Sequence, residues 1–250
     1  MRIALVIAMA ALPLSVPAAP AGVDWQQRVV KCTGAGVPNL KDGSGNAAAI
    51  RVAAEKAAKL DALRTCLEAM KGVSVATGQT VGQAMAGDGA VRASVEGTVR
   101  GFRETAKRYF SDGGVEIDVE VSLDGVADAV LPKAAAAAPA PAGPTSLVVD
   151  AAGLKVAPAL APRLLDEAGQ ELYGAASLGE AARRGQGVAA YARGLDSARR
   201  DLAARLGDRP LVVKAQRAQG ADLVLPADAA AALAGRPAFL SEGRVVILTD

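Results

Sequence analysis

A run of proline and alanine near the middle of the chain, Pro132–Pro144 (PKAAAAAPAPAGP), constrains the fold more than any other feature. Proline fixes φ and lacks a backbone N–H, so this run cannot continue a helix or a central strand. Its composition is typical of a semi-stiff linker. We therefore expect one small domain over residues 23–131, a linker over residues 132–144 and a second small domain over residues 145–250.

The first 21 residues have the pattern of an export signal. Met1-Arg2 is positive, Ile3–Leu14 is apolar, and small residues follow. The apolar run is shorter than the roughly 20 residues that a transmembrane helix needs. We expect cleavage after Ala19 or Ala21 and a periplasmic protein whose mature chain has no transmembrane segment. We also expect no lipid anchor, because no cysteine directly follows the apolar run.

Composition argues against several classes of function. The sequence contains no histidine, the commonest general base and metal ligand in proteins. It has 28 basic and 26 acidic residues, so it lacks the basic excess of a protein that binds nucleic acid regardless of sequence. We expect no enzymatic activity, no cofactor, no metal and no nucleic-acid partner.

The first domain shows one helical pattern beside several strand patterns. We predict a strand over Trp25–Thr33, a loop from Gly34 to Gly45, and a helix over residues 47–70 that begins after Asn46 and ends at Gly72. The apolar face of this helix is predicted from residues at helical spacing, namely Ile50, Ala53, Ala57, Leu60, Leu67 and Met70.

Three further strands are predicted over Val91–Gly101, Phe102–Phe110 and Val115–Leu123 because apolar residues alternate with polar ones. A turn at residues 111–114 would pair Phe110 with Val115 and place Lys107 opposite Asp118. The simplest packing is an α+β domain in which the N-terminal helix covers a small, mainly antiparallel sheet.

The second domain reads as a small mixed α/β domain. We predict a long helix over Gly187–Leu206 and a short helix from Pro226 through Ala234. The predicted strands are Ser146–Ala151, Gln170–Tyr173, Pro210–Arg217, Leu223–Leu225 and Arg244–Thr249.

Two cysteines, Cys32 and Cys66, lie on the first strand and the first helix. In an oxidising compartment they can form a disulfide. They can equally be two buried free thiols, since cysteine packs as a small apolar residue. The sequence leaves both interpretations open.

Other polar patterns have a functional and a structural interpretation. The row Glu116, Asp118 and Glu120 can be a cation site or the solvated face of a strand, and the spacing along a strand favours the second. Gly34 and Gly36 lack the third glycine of a dinucleotide loop, so a plain loop is the better interpretation.

Candidate interaction residues are the outward arginines Arg92 and Arg100 and the doublet Arg199-Arg200. The doublet can meet anionic lipid or an acidic partner. It can also be part of an ordinary charged helix face, because Asp196 and Asp201 lie beside it.

Residues 25–125 resemble a known family in the order of their glycines and apolar residues. The matching stretches are the Trp25-led strand with Val29-Val30-x-Cys32-Thr33-Gly34-x-Gly36, Leu67-x₄-Gly72-Val73-x-Val75, Val95-x-Gly97-x-Val99-x-Gly101, and Tyr109-Phe110-x-Asp112-Gly113-x-Val115-Glu116-Ile117-x-Val119. This order is similar to that of the LPP-twenty-like lipoproteins and the N-terminal domain of flagellar assembly protein T. The resemblance implies an envelope protein without catalytic residues.

These observations lead to three functional hypotheses. The first is a structural or interaction module of an envelope assembly, whose partners are outer-membrane proteins or components of a flagellar basal body. The second is a module that binds a small ligand or lipid in a cavity between helix 47–70 and the sheet. The third is a carboxylate-based hydrolase that pairs Glu116 with Glu96 or Glu104.

Overall fold

A computed structural model describes residues 22–38, 46–131 and 143–250. The predictions for residues 1–21, for residues 39–45 of the predicted loop and for most of the linker therefore lie outside the described residues. The described part is an α+β fold. A helix covers a small antiparallel sheet in the first half, and the second half is a mixed α/β domain.

In the first half, two strands precede a long helix, and the remaining helices and strands follow it. In chain order they are β1 (Gly22–Asp24), β2 (Val29–Gly36), α1 (Ala47–Lys71), β3 (Ser74–Ala76), β4 (Gln79–Thr80), α2 (Val81–Gly87), α3 (Gly89–Arg100), β5 (Arg103–Tyr109), β6 (Val115–Ser122) and α4 (Leu123–Val130). The main sheet has the order β1-β2-β6-β5, with every pair antiparallel, and β3 and β4 form a separate hairpin.

Helix α1 packs on β2 through small residues. Its buried side chains are Ala54, Ala58, Ala62, Cys66 and Met70. A Cβ added to Gly34 would lie 2.2 Å from the Ala58 carbonyl oxygen, and one added to Gly36 would lie 1.9 Å from the Ala54 carbonyl oxygen. The helix backbone therefore rests almost directly on the strand backbone, which only glycine permits.

This packing corrects two predictions. Gly34 and Gly36 are the last residues of strand β2 and not a loop. The buried face of α1 is the alanine face, and Leu60, predicted to be inside, is 66% exposed. Bulky side chains would hold the helix away from the two glycines, so the small-residue face wins despite its weaker hydrophobicity. Asn46 does cap the helix as predicted, and its side chain accepts a hydrogen bond from the Ala48 N–H.

The prediction of a strand over Val91–Gly101 is wrong, because this segment is helix α3. The Asp88 carboxylate caps it by accepting hydrogen bonds from the N–H groups of Ala90 and Val91. Its buried side chains, Val95 and Val99, are four residues apart. A four-residue spacing satisfies both a period of two and a helical turn, which is why alternation alone misleads here.

The hairpin between β5 and β6 forms, but its register differs by one residue from the predicted one. Tyr109 pairs with Val115, so Arg108 and not Lys107 lies beside the carboxylates of β6. Lys107 instead bonds Glu55 on α1, with 3.0 Å between the Lys107 Nζ and a carboxylate oxygen. The turn contains five residues, Phe110 to Gly114, between the paired residues Tyr109 and Val115.

The second half is built around a parallel sheet. Its elements are β7 (Ser146–Asp150), β8 (Leu164–Leu165), β9 (Glu171–Tyr173), a 3₁₀ turn (Ala175–Ser177), α5 (Glu180–Gly185), β10 (Ala190–Arg193), α6 (Gly194–Asp201), α7 (Ala203–Leu206), β11 (Pro210–Lys214), β12 (Arg217–Gln219), β13 (Asp222–Val224), α8 (Ala227–Leu233), α9 (Ala238–Ser241) and β14 (Val245–Thr249). The order β10-β14-β7-β11 is parallel throughout, and β12-β13-β8-β9 forms a smaller mixed sheet.

The long helix predicted over Gly187–Leu206 is wrong in its first part. Ala190–Arg193 is strand β10, which pairs with β14. Gly194 then adopts φ +79°, a conformation that breaks the chain direction and lets α6 begin. Every residue from Val188 to Ala192 is buried, and such a continuous buried run fits a parallel strand better than an amphipathic helix.

The two halves share one continuous hydrophobic core. Val121 and Leu123 of the first half belong to the same buried cluster as Val188 and Tyr191 of the second half. The β3–β4 hairpin also bonds the second half, since the N–H groups of residues 160 and 161 donate to the carbonyls of residues 74 and 75 at 2.9 and 2.7 Å. The halves therefore pack as one body, which linker composition alone does not reveal.

Candidate functional site

The carboxyl ends of three parallel strands meet at one edge of the main sheet of the second half. Strand β7 leads into the loop at residues 151–158, β10 ends at Arg193, and β14 ends at Thr249. In open parallel sheets the ligand site commonly lies just beyond this edge, because the loops that follow the strands diverge there. The edge is thus the first place to look for a binding site.

Residues of the first half lie opposite this sheet edge, so a cleft forms between the two halves. Strand β1 and the turn that follows it face the sheet edge across a space of about 870 Å³. The lining residues come from both halves: Gly22, Val23, Asp24, Trp25, Gln26 and Lys31 from the first, and Ala151, Lys155, Val156, Pro158, Tyr191, Ala192, Arg193, Thr249 and Asp250 from the second. A cleft of this volume is within the range of small-ligand sites.

Trp25 and Gln26 fix the position of the cleft wall. The Trp25 ring meets the Tyr191 ring edge to face, with 5.8 Å between centroids, a favoured arrangement of two aromatic rings. The Gln26 side-chain amide donates to the Ser197 hydroxyl at 3.2 Å and to the Asp201 carboxylate on α6. The only tryptophan of the chain is therefore held at the junction of the two halves.

Tyr191 forms the buried floor beneath Trp25. Its hydroxyl donates to the Ala159 carbonyl at 3.0 Å and accepts from the Ala159 N–H at 2.9 Å. Burial raises the pKa of Tyr191 well above its ordinary value, so it stays a neutral phenol. Its role is to hold the loop that follows Val156 against the sheet edge.

The charges in the cleft fall into a paired set and an unpaired set. Lys31 is bound at 3.0 Å by Asp24 and at 2.8 Å by the Gln27 side chain. Burial acts to raise the pKa of Asp24, but the hydrogen bond from the Gln27 N–H and the Lys31 charge outweigh it and leave that pKa lowered. Among the described residues, neither Lys155 nor Arg193 has a carboxylate within ion-pair distance.

One arginine bridges the two halves beside the cleft, and a second arginine is buried close to it. Arg28 donates to the Asp124 carboxylate at 2.7 Å and reaches the Ala189 carbonyl at 3.4 Å. Arg205 is buried and donates to the carbonyls of Gln186 and Gly187 at 2.7 and 3.0 Å. Burial lowers the pKa of Arg205 to about 10, so it still carries its charge at neutral pH. The contacts of Arg28 help to position the turn that carries Trp25.

The interaction residues predicted from the sequence lie outside the lining of this cleft. Arg92 and Arg100 are exposed on α3, and Arg100 pairs with Glu96 at 3.3 Å. Arg199 and Arg200 are exposed in the last turn of α6, the helix whose Ser197 accepts a hydrogen bond from Gln26. The structure does not bring these four arginines into one site with the cleft residues.

The carboxylate row lies on the face of the first sheet opposite α1. Arg108 binds Asp118 at 2.5 Å and Glu116 at 3.1 Å, and Arg103 binds Glu120 at 2.5 Å. The hydrogen bonds that Arg108 donates to Asp118 and Glu116 are the main cause that raises the pKa of Arg108. Each carboxylate of the row has an arginine partner, as a charged solvated face would.

The hypothetical hydrolase pairs do not assemble. Glu104 bonds Lys59 of α1 at 2.5 Å and so lies on the helix side of the sheet, whereas Glu116 lies on the opposite side. Glu96 is engaged by Arg100 on the same helix. In residues 22–38, 46–131 and 143–250, no three histidine, cysteine or carboxylate side chains are grouped so that they could hold a metal ion.

Cys32 and Cys66 are joined as a disulfide across the α1–β2 packing, with 5.6 Å between their Cα atoms. Both side chains are buried beside the alanine face of the helix. The disulfide therefore fixes the helix on the sheet and lies away from the cleft lining.

Sequence reasoning missed Lys155, Arg193 and Asp250. A usable signal was present for the first, since the apolar strand SLVVD is followed by the short glycine-containing loop AAGLK. Such a loop after a parallel strand often carries ligand-binding residues. Arg193 lies in the segment that the sequence predicted to be a helix.

The second half is similar to one known protein family. Residues 146–250 match the family described as the second domain of Treponema pallidum Tp0624. The match begins at the first residue of β7 and covers less than half of the chain. It includes every cleft residue of the second half and none from the first half. No curated protein matches the chain.

None of the helices in the described ranges is both long enough and apolar enough to cross a bilayer.

Proposed function

We propose that this protein is an exported, non-enzymatic binding module of the cell envelope and that it binds through the cleft between its two halves. The observation that carries the proposal is the position of the cleft. It lies at the carboxyl edge of a parallel sheet and is lined from both halves. Sites at domain junctions and at this sheet edge are where ligands are most often bound.

The side chains of the cleft support binding more than catalysis. Trp25 supplies an apolar surface, and Lys155 and Arg193 supply exposed positive charge. The acidic Asp24 is already engaged by Lys31. The carboxylates that the sequence offered for hydrolysis lie elsewhere and have cationic partners.

The setting of the cleft in the envelope comes from the N-terminal pattern and from the likeness of residues 25–125 to envelope proteins. Under this proposal the protein acts as an interaction module of a periplasmic or outer-membrane-associated assembly, with the flagellar basal body as one candidate. The likeness lies in glycines that the fold uses for packing, so it supports the setting and not a particular partner.

The alternative cavity between helix 47–70 and the sheet finds no support where the helix crosses β2. There the Ala54 and Ala58 backbone lies against Gly36 and Gly34, which leaves no space for a ligand. We therefore propose the cleft as the site of a small-ligand function.

Site-specific photo-crosslinking in the producing cells tests this proposal. A photoreactive phenylalanine derivative at Val156, on the cleft wall, is expected to form a discrete adduct with an envelope component. The same group at Arg92, exposed on α3, serves as the matched control and is expected to form none. The adduct at position 156 must also disappear when Trp25→Ala is added.

An adduct from position 92 without one from position 156 would contradict the proposal and place the contact on α3. Retention of the 156 adduct in the Trp25→Ala variant would also count against it, because contact would then not depend on the cleft wall. Intact mass of the purified protein separates a protein adduct from a small bound molecule.

A further inference from the structure

A carboxylate supplied by the chain itself sits at the edge of the cleft. The Gly153 N–H donates to both side-chain oxygens of Asp250, at 2.9 and 3.0 Å. Gly153 follows β7 with φ +79°, and Asp250 follows β14. Both residues are exposed, so this contact is open to water and can be exchanged for another acceptor.

Two cations without carboxylate partners line the same cleft. Lys155 comes from the loop after β7 and Arg193 from the end of β10. Within the described part of the chain neither forms an ion pair, whereas the third cation of the cleft, Lys31, is held by Asp24. Lys155, which lines the cleft, also has φ +51°, a conformation that is more favourable for glycine.

Apolar side chains line the same cleft as these cations. Trp25, Val156 and Pro158 are each only partly buried, so their surfaces remain open to the cleft. A molecule that satisfies the whole cleft therefore needs an anionic end and an apolar body. Cations and a backbone N–H make the stronger, charge-assisted hydrogen bonds to the anionic end.

We propose that the cleft binds a small amphiphilic carboxylic acid, whose carboxylate takes the place of Asp250 at the Gly153 N–H between Lys155 and Arg193. The body of the acid lies against Trp25. Asp250 then acts as an internal competitor that fills the anion position when the ligand is absent. This inference rests on the proposed function of the cleft and names the chemical class of its ligand.

Carboxylate is favoured over phosphate because the group already bound to the Gly153 N–H is a planar carboxylate that uses both oxygens. The space of about 870 Å³ also exceeds what a lone inorganic anion needs. The ligand's apolar part, not its charge alone, is thus expected to contribute to affinity.

The test is a titration of the full protein, purified after export by the cell, with 4-phenylbutyrate, followed by the fluorescence of Trp25. The neutral analogue 4-phenylbutanol is the matched ligand control. We expect the acid to bind with a Kd of about 1 mM, as for a fragment of this size, and the alcohol to bind about tenfold more weakly.

The variants shift the affinity in opposite directions. Lys155→Gln and Arg193→Gln are each expected to weaken acid binding about fivefold to tenfold, because each removes a charge-assisted hydrogen bond. Asp250→Asn is expected to tighten it several-fold, about threefold to fivefold, because the internal competitor loses its charge. Arg92→Gln, remote from the lining, is expected to change nothing.

The proposal is overturned if the alcohol binds as well as the acid, if both glutamine variants keep wild-type affinity, or if Asp250→Asn weakens binding. Displacement of the acid by inorganic phosphate would also overturn the carboxylate assignment in favour of a general oxyanion site. Failure of the acid to bind wild-type protein and Asp250→Asn, while the adduct from position 156 persists, would sink this inference and leave the proposed function intact.

Discussion

The first half of the protein closes its helix onto its sheet, whereas the second half leaves the edge of its sheet open. In the first half Gly34 and Gly36 let α1 approach β2 backbone to backbone, and a disulfide fixes the contact. In the second half the loop after β7 and the end of β10 diverge and leave a cleft. Small residues therefore serve packing in one half, while charged and aromatic residues border free space in the other.

The closed packing makes the first half the most sensitive to added volume. Gly36→Val is expected to lower the free energy of unfolding by about 4 kcal/mol or more, because the new Cβ would overlap the Ala54 carbonyl oxygen. Gly97→Ala is the matched control, since it lies on α3 with nothing near its position. The control is expected to gain about 0.5–1 kcal/mol through helix propensity. Urea unfolding measures both, and equal small effects would refute the close approach.

The disulfide is expected to contribute the next largest effect. The Cys32→Ala, Cys66→Ala double variant should lose about 3 kcal/mol, because the bridge closes a loop with a sequence separation of 34. Reductant should lower the stability of the wild type by a similar amount and leave the double variant unchanged. A wild type that is indifferent to reductant would show that the bridge adds nothing to the closed half.

The charged outer face of the first sheet gives a smaller, pH-dependent effect. A hydrogen bond from Arg108, against an opposing effect of burial, lowers the pKa of Asp118, and Thr33 adds a second hydrogen bond. Because this pKa is lower in the folded than in the unfolded protein, the charged carboxylate stabilises the fold at pH values above the unfolded pKa of about 3.9. This stabilisation is lost as the pH falls through the folded pKa. Asp118→Asn should therefore cost about 1 kcal/mol at pH 7, discounted for its partial exposure, and almost nothing in strong acid.

Exposed Asp208 provides the control for that effect, since it has no ion pair among the described residues. Asp208→Asn is expected to be neutral at both pH values in the same unfolding experiment. A cost of Asp118→Asn that persists in acid would mean that the carboxylate acts through packing and not through its charge.

The smallest expected effect lies in the second half, after α8. Arg236 has φ +45°, which is unfavourable for a residue with a Cβ. Arg236→Gly should raise the free energy of unfolding by about 0.5 kcal/mol, whereas Arg199→Gly, inside α6, should lower it by about 0.8 kcal/mol. Changes of the same sign in thermal unfolding would show that backbone strain is not what limits this region.

The sequence predicts the elements that rest on a local signal. Asn46 and Gly72 bound α1, Gly113 adopts the positive φ expected of the hairpin turn, and Pro226 precedes α8. Each of these depends on the chemistry of one residue and its neighbours. Such local signals do not depend on contacts with distant parts of the chain.

Elements that depend on distant partners were not predictable. The glycines of β2 determine which face of α1 is buried. The spacing of apolar residues within the helix therefore cannot predict that face. Val91, Val95 and Val99 fit the spacing of a strand and of a helix equally, and α3 packs against α2 and α4, which this segment alone does not reveal. Strand β10 exists because β14, more than fifty residues later, pairs with it.

The candidate site was the least predictable part because no single segment contains it. Trp25 comes from the first half, and Lys155, Arg193 and Asp250 come from three separate strand ends. Their proximity follows from the parallel order of the sheet and from the arginine contacts that join the halves. The strand order and these contacts are both formed by distant parts of the chain, so the sequence alone does not bring these residues together.

Accessibility of the cleft in the native envelope tests the central claim most directly. Val156→Cys and the control Arg92→Cys each introduce one thiol that a maleimide can label, since Cys32 and Cys66 are already bonded. If the cleft is the binding site, the thiol at position 156 is labelled much more slowly in intact envelopes than in the purified protein, while the thiol at position 92 is labelled equally in both. Equal labelling at position 156 in the two settings, or protection only at position 92, would contradict the account.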